Sequence, residues 1–191
     1  QPLADLATAA TAALGEPIDY PPLARNTTPG AQVVLALDRG VPRVAEITAA
    51  VIRTLVEAGV DPDGITVLRS QADIDAGVGD PCRMVASPLR RRISLLTHDP
   101  DNRRQLAYLA ANESGEAILI NRTLHEADLV LPVGCLRADE TAGYFGIHSA
   151  VFPAFSNTKT IQRFRGFGSL NGRGNRKREL TAEVDHVAWL L

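Results

Sequence analysis

The sequence predicts an α/β fold: a parallel, or mixed, sheet with helices on both faces. Residues 32–37 and 65–68 are short apolar runs rich in β-branched side chains, as is typical of buried strands. Between them, residues 44–58 carry apolar side chains at every third or fourth position and end at Gly59, which indicates an amphipathic helix. Because a strand, a helix and a strand in this order form a right-handed crossover, the two strands are expected to be parallel, in Rossmann-like layers.

The other elements are predicted from the same periodicities and from turn residues. Residues 3–14 form an Ala-rich run at helical spacing that Gly15 and Pro17 end. Gly and Pro indicate an irregular loop with one weak helix over 69–91, and the Gly- and Arg-rich residues 165–178 are interpreted as a linker. Further strands are expected at 93–96, 106–109, 117–120 and 129–133, and further helices at 123–127, 158–164 and 180–191.

Composition indicates a globular chain whose positive and negative charges nearly cancel. The 191 residues are 45% hydrophobic, which is enough for a buried core, and Lys plus Arg (20) nearly balances Asp plus Glu (22). Nucleic acid is therefore not an expected partner, and no apolar stretch approaches a membrane span. Residues 1–164 are interpreted as one α/β domain, and 165–191 as a linker and the start of a helix leading toward an absent second domain.

The two cysteines favour a reducing compartment. Cys82 and Cys135 belong to no Cys-x-x-Cys or Cys/His cluster, so neither zinc nor a redox motif is indicated. Two free thiols are expected, with a disulfide between them as the alternative. Since the residues after Gln1 also lack the pattern of a signal peptide, a cytoplasmic location is predicted.

Polar residues at the expected carboxyl ends of the strands define one candidate site. Asp38 follows the first strand, His98 and Asp99 follow another, and the loop 134–149 follows the last strong strand. Ligands bind at these ends of open parallel sheets because loops and helix N-termini converge there. Each residue alone is more often a cap or turn residue, so it is the clustering that favours function.

The basic and histidine residues suggest anion binding rather than metal binding. No two of the four histidines have the spacing that would direct both at one metal. His148, in the Gly-containing loop, is a candidate proton carrier, and a hydrogen-bonded surface histidine is the alternative. Capture of one carboxylate or phosphate by Arg165 explains the basic 163–178 region more economically than nucleic acid binding does.

A series of short motifs follows in one order along the chain. The motifs are Gly15-Glu16-Pro17-Ile18, Pro21-Pro22-Leu23, Asp38 with Pro42, His98-Asp99, Leu106-Ala107-Tyr108-Leu109, Ile120-Asn121-Arg122, Glu126-Ala127-Asp128-Leu129, Ala142-Gly143-Tyr144, Gly146, Pro153 and Thr160-Ile161. Together they resemble the nickel-dependent lactate racemase family over about residues 10–190. The resemblance implies the N-terminal domain of a protein in which two α/β domains flank a cleft. It also implies the family's cofactor, a nickel pincer nucleotide that is attached to a lysine and ligated by a histidine, and that removes hydride from 2-hydroxy acids and returns it.

The positions that the resemblance assigns to the cofactor carry other residues. The lysine falls on Ser149, the metal-ligating histidine on Arg165, and the histidine before the Ala-Gly pair on Asp139. Without a primary amine at 149 the covalent link cannot form, and without an imidazole at 165 the metal loses a protein ligand. No cofactor and no metal are therefore expected, and nickel-pincer racemisation is predicted to be absent.

The positions assigned to the substrate have changed as well. The acid/base histidine falls near Ile74, and the substrate-binding arginine falls on Val41. Asp38 is retained, and Arg39 or Arg43 is a candidate substitute for the missing guanidinium.

Three functions remain open, and the favoured one lacks nickel-pincer racemase activity. The first is a divergent family member that binds an anionic small molecule or nucleotide in the cleft. The second is an active 2-hydroxyacid racemase or epimerase in which His148 and Lys159 are catalytic. The third is a non-catalytic interaction or assembly domain, including a homo-oligomer. The ligand-binding residues predicted for the first are Asp38, Arg39, Arg43, His98, Asp139, Gly143, Gly146, Ser149 and Arg165.

Overall fold

A four-stranded parallel sheet lies at the centre of the computed structural model, which describes residues 5–135, 147–168 and 175–191. Its strands are β1 (Val33–Leu37), β2 (Ile65–Ser70), β3 (Ser94–His98) and, after a hairpin of two further strands, β6 (Leu129–Val133). The strand order is β3-β2-β1-β6, and Val33 of β1 is in register with Ile65 and Leu129 of its two neighbours. The predicted α/β class and parallel sheet are confirmed.

Helices and one hairpin complete the fold. The strands β4 (Leu106–Ala111) and β5 (Ala117–Asn121) pair antiparallel, as the sequence predicts for two strands joined by a turn. None of the helices among the described residues combines the length and the apolar character needed to cross a bilayer. The helices are α1 (Leu6–Gly15), α2 (Val44–Glu57), α3 (Gln71–Asp75), α4 (Ser87–Arg90), α5 (Arg122–His125), α6 (Thr158–Gly168) and α7 (Asn175–Trp189), with 3-10 turns at Leu23–Arg25, Pro62–Gly64, Arg103–Gln105 and Ile147–Ala150.

The central strand β1 is buried on both faces, and its alternating side chains enter two different cores. Val33, Leu35 and Leu37 pack with the apolar stripe of α2. Val34 and Ala36 point to the opposite face and pack with the hairpin, the 150–164 segment and α7. The sheet is therefore the middle of three layers, which confirms the predicted helices on both faces.

The chain reverses its direction across the sheet between β3 and β6. From β1 through β2 to β3 it advances toward one edge, with α2 on the first face. It then returns past β1 to β6 through the hairpin and α5, which cover the second face. Because the chain moves across the sheet in opposite directions on its two faces, both crossover connections have the same handedness, as in doubly wound folds. The carboxyl ends of β1 and β6 flank the resulting switch point.

Two predictions about loops were wrong. Within 69–91, β2 continues to Ser70 and two short helices, α3 and α4, follow instead of one. In the predicted linker 165–178, α6 extends to Gly168 and α7 begins at Asn175. Arg, Lys and Glu are good helix formers, so a basic composition did not mean an irregular chain. The boundary between domains 1–164 and 165–191 stays a prediction.

No disulfide joins Cys82 and Cys135, so the expected two thiols are present. Cys82 is buried in the core beside α2, and burial raises its pKa to about 11. Cys135 follows β6 and is half-buried.

Candidate functional site

A cavity of about 260 Å³ opens at the carboxyl ends of β1, β2 and β3. The first wall is formed by the last residues of the three strands and the residues that follow them, and the second wall is formed by the 149–165 segment. Half of the lining is apolar and half is polar. The lining residues are Leu37, Asp38, Arg39, Ser70, Gln71, Ala72, His98, Pro100, Ser149, Pro153, Ala154, Ile161, Phe164 and Arg165.

Five of the residues predicted to bind ligand line this cavity together. Asp38, Arg39 and His98 come from the strand ends, and Ser149 and Arg165 come from the second wall. Asp38 and Arg39 are more than a hundred positions from Ser149 and Arg165 in the sequence, and His98 is 51 positions from Ser149; the fold brings all five together. The predicted site residues Asp139, Gly143 and Gly146 lie outside the described residues.

Arg43 does not line the cavity. It occupies the N-cap position of α2 in a left-handed conformation, with φ 51°. Its guanidinium forms an ion pair with Glu46 one turn into the same helix, at 2.5 Å. The structure thus distinguishes between the two arginines that were candidates for the missing guanidinium, and it places Arg39 at the cavity.

The two candidate catalytic residues contact different partners, neither of which lines the cavity. His148 Nδ1 is 2.8 Å from Asp185 Oδ1 on α7. Lys159 Nζ donates to Glu116 Oε1 at 2.9 Å, beside the end of the hairpin. Neither residue lines the cavity.

The loop after β1 is held by a buried carboxylate that the sequence analysis overlooked. Asp73 of α3 is 5% exposed and accepts hydrogen bonds from the Ser70 hydroxyl at 3.0 Å and from the Gly40 backbone N–H at 3.4 Å. Gly40 has φ 67°, which glycine adopts at little cost. Ser70 is the N-cap residue of α3, and its spacing to Asp73 matches the Ser/Thr-x-x-Asp/Glu pattern of helix starts, which is the sequence signal for this pair. The Ser70 hydroxyl bonds to Asp73 itself and not to the helix backbone.

His98 joins the first wall of the cavity to the second. Its Nε2 is 2.8 Å from the Ser156 carbonyl oxygen, so this nitrogen carries the proton and donates it. Its Nδ1 therefore accepts from the side-chain amide of Asn121 at 3.0 Å. The ring is 1% exposed and meets Phe155 edge to face, and burial lowers the pKa of His98. It is a neutral imidazole whose two nitrogens are both engaged.

The helix α6 presents one face to the cavity. Ile161, Phe164 and Arg165 lie three and four positions apart, so they share a side of the helix. Phe164 is buried, whereas Arg165 is exposed. No salt bridge joins Arg165 or Arg39 to a carboxylate within the described part of the chain.

The sequence matches the model of the lactate racemase N-terminal domain over residues 1–173. This chain belongs to that family. The fold agrees with two solved structures. The lactate racemase apoprotein from Thermoanaerobacterium thermosaccharolyticum aligns with 81% of this chain at 18% identity and a TM-score of 0.59. A crystal structure of a Thermotoga maritima protein aligns with 95% of this chain at 14% identity and the same TM-score, 0.59.

Both solved chains are longer than the part of them that this chain matches. This lactate racemase-family chain spans 38% of the first solved chain and 46% of the second. Comparison with curated proteins finds no match.

The cavity of this lactate racemase-family domain does not fit the nickel pincer nucleotide that the resemblance implies. Attachment needs a primary amine, and no lysine lines the cavity. Ligation needs an imidazole with a free nitrogen, and the lining's one imidazole, His98, has both nitrogens hydrogen bonded. The described residues also hold no group of three His, Cys, Asp or Glu that could bind a metal ion. Ser149 and Arg165 line the cavity instead, at the positions assigned to the lysine and the histidine.

Proposed function

We propose that this lactate racemase-family domain binds an anionic small molecule or nucleotide in the strand-end cavity and does not perform nickel-pincer racemisation. The observation that carries the proposal is the presence of Arg39 and Arg165 on one cavity, from two different elements. The cavity would form one wall of a cleft between two domains.

The charges favour an anion. The cavity has two guanidiniums and one carboxylate, that of Asp38, and the Asp38 Oδ1 already accepts the Arg39 backbone N–H at 2.7 Å. A guanidinium matches the geometry of a carboxylate or phosphate and binds either one through two parallel hydrogen bonds. Apolar neighbours such as Phe164 lower the local dielectric, which strengthens such a contact.

The polar groups between the arginines suit an oxygen-rich ligand. Ser149 supplies a hydroxyl and Gln71 supplies an amide. The Ser70 hydroxyl donates its proton to Asp73, so it offers a ligand only its lone pairs. A cavity of about 260 Å³ corresponds to roughly nine water molecules of liquid volume. It holds a small hydroxy acid completely, and a nucleotide only in part, so a nucleotide would extend beyond it toward the cleft.

Racemisation through the family's cofactor is not supported by this set of residues. A serine hydroxyl at 149 cannot replace a lysine amine in a covalent link, and a guanidinium at 165 stays protonated and carries no lone pair for a metal. His98 is neutral but already hydrogen bonded at both nitrogens, so it offers no acid or base to a ligand.

Two measurements test the proposal. The first is metal analysis and intact mass of protein co-expressed with the enzymes that make the nickel cofactor. We expect no stoichiometric nickel and no added mass. Nickel, an adduct at Lys159 or interconversion of 2-hydroxy acid enantiomers would instead favour the active racemase.

The second measurement is binding to four probe anions: inorganic phosphate, AMP, D-lactate and L-lactate. A ligand that binds only the native state raises the melting temperature in proportion to its affinity and concentration. We expect at least one probe to raise it and to bind in isothermal titration. If none does, and the chain self-associates in size-exclusion chromatography, the assembly-domain function is favoured.

A further inference from the structure

The middle of the second wall is hydrogen bonded to residues at the end of β3, at the end of β5 and in the loop after β3. The Ser156 carbonyl accepts from His98, and the Asn121 backbone N–H donates to the Phe155 carbonyl at 2.8 Å. The Thr158 hydroxyl donates to Asp101 Oδ1 at 2.7 Å. These bonds fix residues 153–158, which contribute the apolar floor of the cavity.

The beginning of the second wall is held by helix α7. Ser149 lies in the 3-10 turn Ile147–Ala150, and its neighbour His148 contacts Asp185 of α7 through Nδ1 at 2.8 Å. Ala150 in the same turn is buried. A contact from α7 therefore sits one residue from the serine that lines the cavity.

The end of the second wall is held by the same helix. Arg163 of α6 forms an ion pair with Glu183 of α7, and the side chain of Glu183 is only 14% exposed. The Arg163 guanidinium also lies over the ring of Phe164, 5.0 Å from its centre. The paired Arg163 thus lies beside Phe164 and two positions from Arg165, the residues that face the cavity.

Helix α7 is itself anchored in the core. Leu180, Val184 and Val187 are spaced for one helical face, and each is at most 6% exposed. They belong to the core that contains Phe152 and Phe155. This helix begins at Asn175, beyond the residues 1–173 that match the family's N-terminal domain.

We propose that α7 positions the binding wall: through the Asp185–His148 and Glu183–Arg163 pairs it holds the two ends of the segment that present Ser149 and Arg165. Asp185 and Glu183 are positioning residues, since neither lines the cavity. The ligand role of Ser149 and Arg165 rests on the proposed function, whereas the positioning itself does not.

Native-state hydrogen exchange on the full chain tests this proposal. The variants are Asp185→Asn, Glu183→Gln and the double variant. Asp63→Asn is the matched control, because Asp63 also pairs with an arginine, Arg92, but before the amino ends of β2 and β3, whereas the cavity lies at the carboxyl ends. We expect exchange about two- to fivefold faster at 147–150 in Asp185→Asn and at 161–168 in Glu183→Gln. Residues 153–158 and strand β1 should keep the wild-type rate.

The pattern of exchange separates positioning from general stability. Equal acceleration at β1, or no acceleration at the two ends of the wall, would overturn the proposal. The four-anion binding measurement on the same proteins then separates the two claims. Local acceleration with no binding by the wild type keeps the role of α7 and contradicts the proposed function. Binding that is equally tight in all variants, with unchanged exchange, keeps the proposed function and contradicts the role of α7.

Discussion

The side-chain amide of Asn121 donates to Nδ1 of His98 at 3.0 Å, across 23 positions of sequence. Asn121 ends the last strand of the hairpin and caps α5 with its Oδ1, and His98 ends a strand of the central sheet. Because His98 also donates to Ser156, hydrogen bonds through its ring connect three segments that are distant in the sequence. This bond shows why a histidine predicted to bind ligand has no free nitrogen for it.

Replacing His98 is expected to destabilise the fold. His98→Ala leaves the Asn121 amide and the Ser156 carbonyl without their partner and opens a void beside Phe155. The expected loss is about 2–4 kcal/mol in the free energy of unfolding. Urea unfolding measures it. His125→Ala, at an exposed position, should change stability by about 0.5 kcal/mol or less, and equal losses in both variants would contradict the assignment.

Stability should fall as the solution becomes mildly acidic. Burial lowers the pKa of His98, so below about pH 6.5 the unfolded chain binds a proton that the folded chain does not. The stabilisation is complete above that pH and declines toward the folded pKa, by at most about 1.4 kcal/mol per pH unit. Urea unfolding between pH 8 and 5.5 should show a steeper decline for the wild type than for His98→Ala. Parallel curves would exclude His98 as the source.

The two thiols should react at very different rates. Burial raises the pKa of Cys82 to about 11, so at pH 8 only about a thousandth of it is thiolate, and the side chain is fully buried. Iodoacetamide should therefore modify Cys135 in the native protein and Cys82 only in urea. Peptide mass spectrometry distinguishes the sites. The Cys135→Ser variant is the control, and rapid native modification of that variant would mean that Cys82 is accessible.

The cavity arginines should govern anion affinity. Arg165→Gln or Arg39→Gln removes a charged hydrogen-bond donor and should weaken binding of the best probe anion about ten- to a hundredfold. Isothermal titration measures this. Arg43→Gln is the matched control, because Arg43 pairs with Glu46 away from the cavity. Equal loss in Arg43→Gln would place the anion site elsewhere.

A methyl group at Gly64 should be poorly tolerated. A Cβ there would lie 2.7 Å from the backbone carbonyl oxygen of Ala31, which cannot move aside as a side chain can. Gly64→Ala should cost about 1–3 kcal/mol in the free energy of unfolding. Thermal unfolding measures this variant and its control, Gly15→Ala. No atom lies within 4 Å of a Cβ at Gly15, so that control should be neutral or slightly stabilising. A Gly64→Ala protein as stable as wild type would contradict the close approach.

The sequence predicted the sheet and part of the site because both depend on local patterns. Strand and helix periodicities located the parallel strands, and their carboxyl ends placed Asp38 and His98 at one edge. The ordered motifs of the family added Ser149 and Arg165, which the structure brings to the same cavity. Asp73 was overlooked although its Ser/Thr-x-x-Asp/Glu spacing with Ser70 was visible.

The partners of the charged residues did not follow from the sequence. His148 and Lys159 were plausible catalytic residues by type, but Asp185 and Glu116, which contact them, lie 37 and 43 positions away. A pairing across such a distance depends on how helices pack, not on local spacing. The sequence also could not distinguish Arg39 from Arg43. Arg39 lines the cavity, whereas Arg43 is the N-cap residue of α2 and pairs with Glu46.

The sequence by itself determined the α/β class, the parallel pairing of the first strands and the residue types at 149 and 165, a serine and an arginine. These follow from side-chain periodicity and residue identity, which are properties of the chain at each position. Only the tertiary structure decided that Arg39 and Arg165 share a cavity, that His98 is fully hydrogen bonded, and that α7 holds both ends of the wall. Those outcomes depend on how segments distant in the sequence pack on the two faces of one sheet. Buried polar groups need hydrogen-bond partners, and the sequence alone does not show which of several possible partners each group finds.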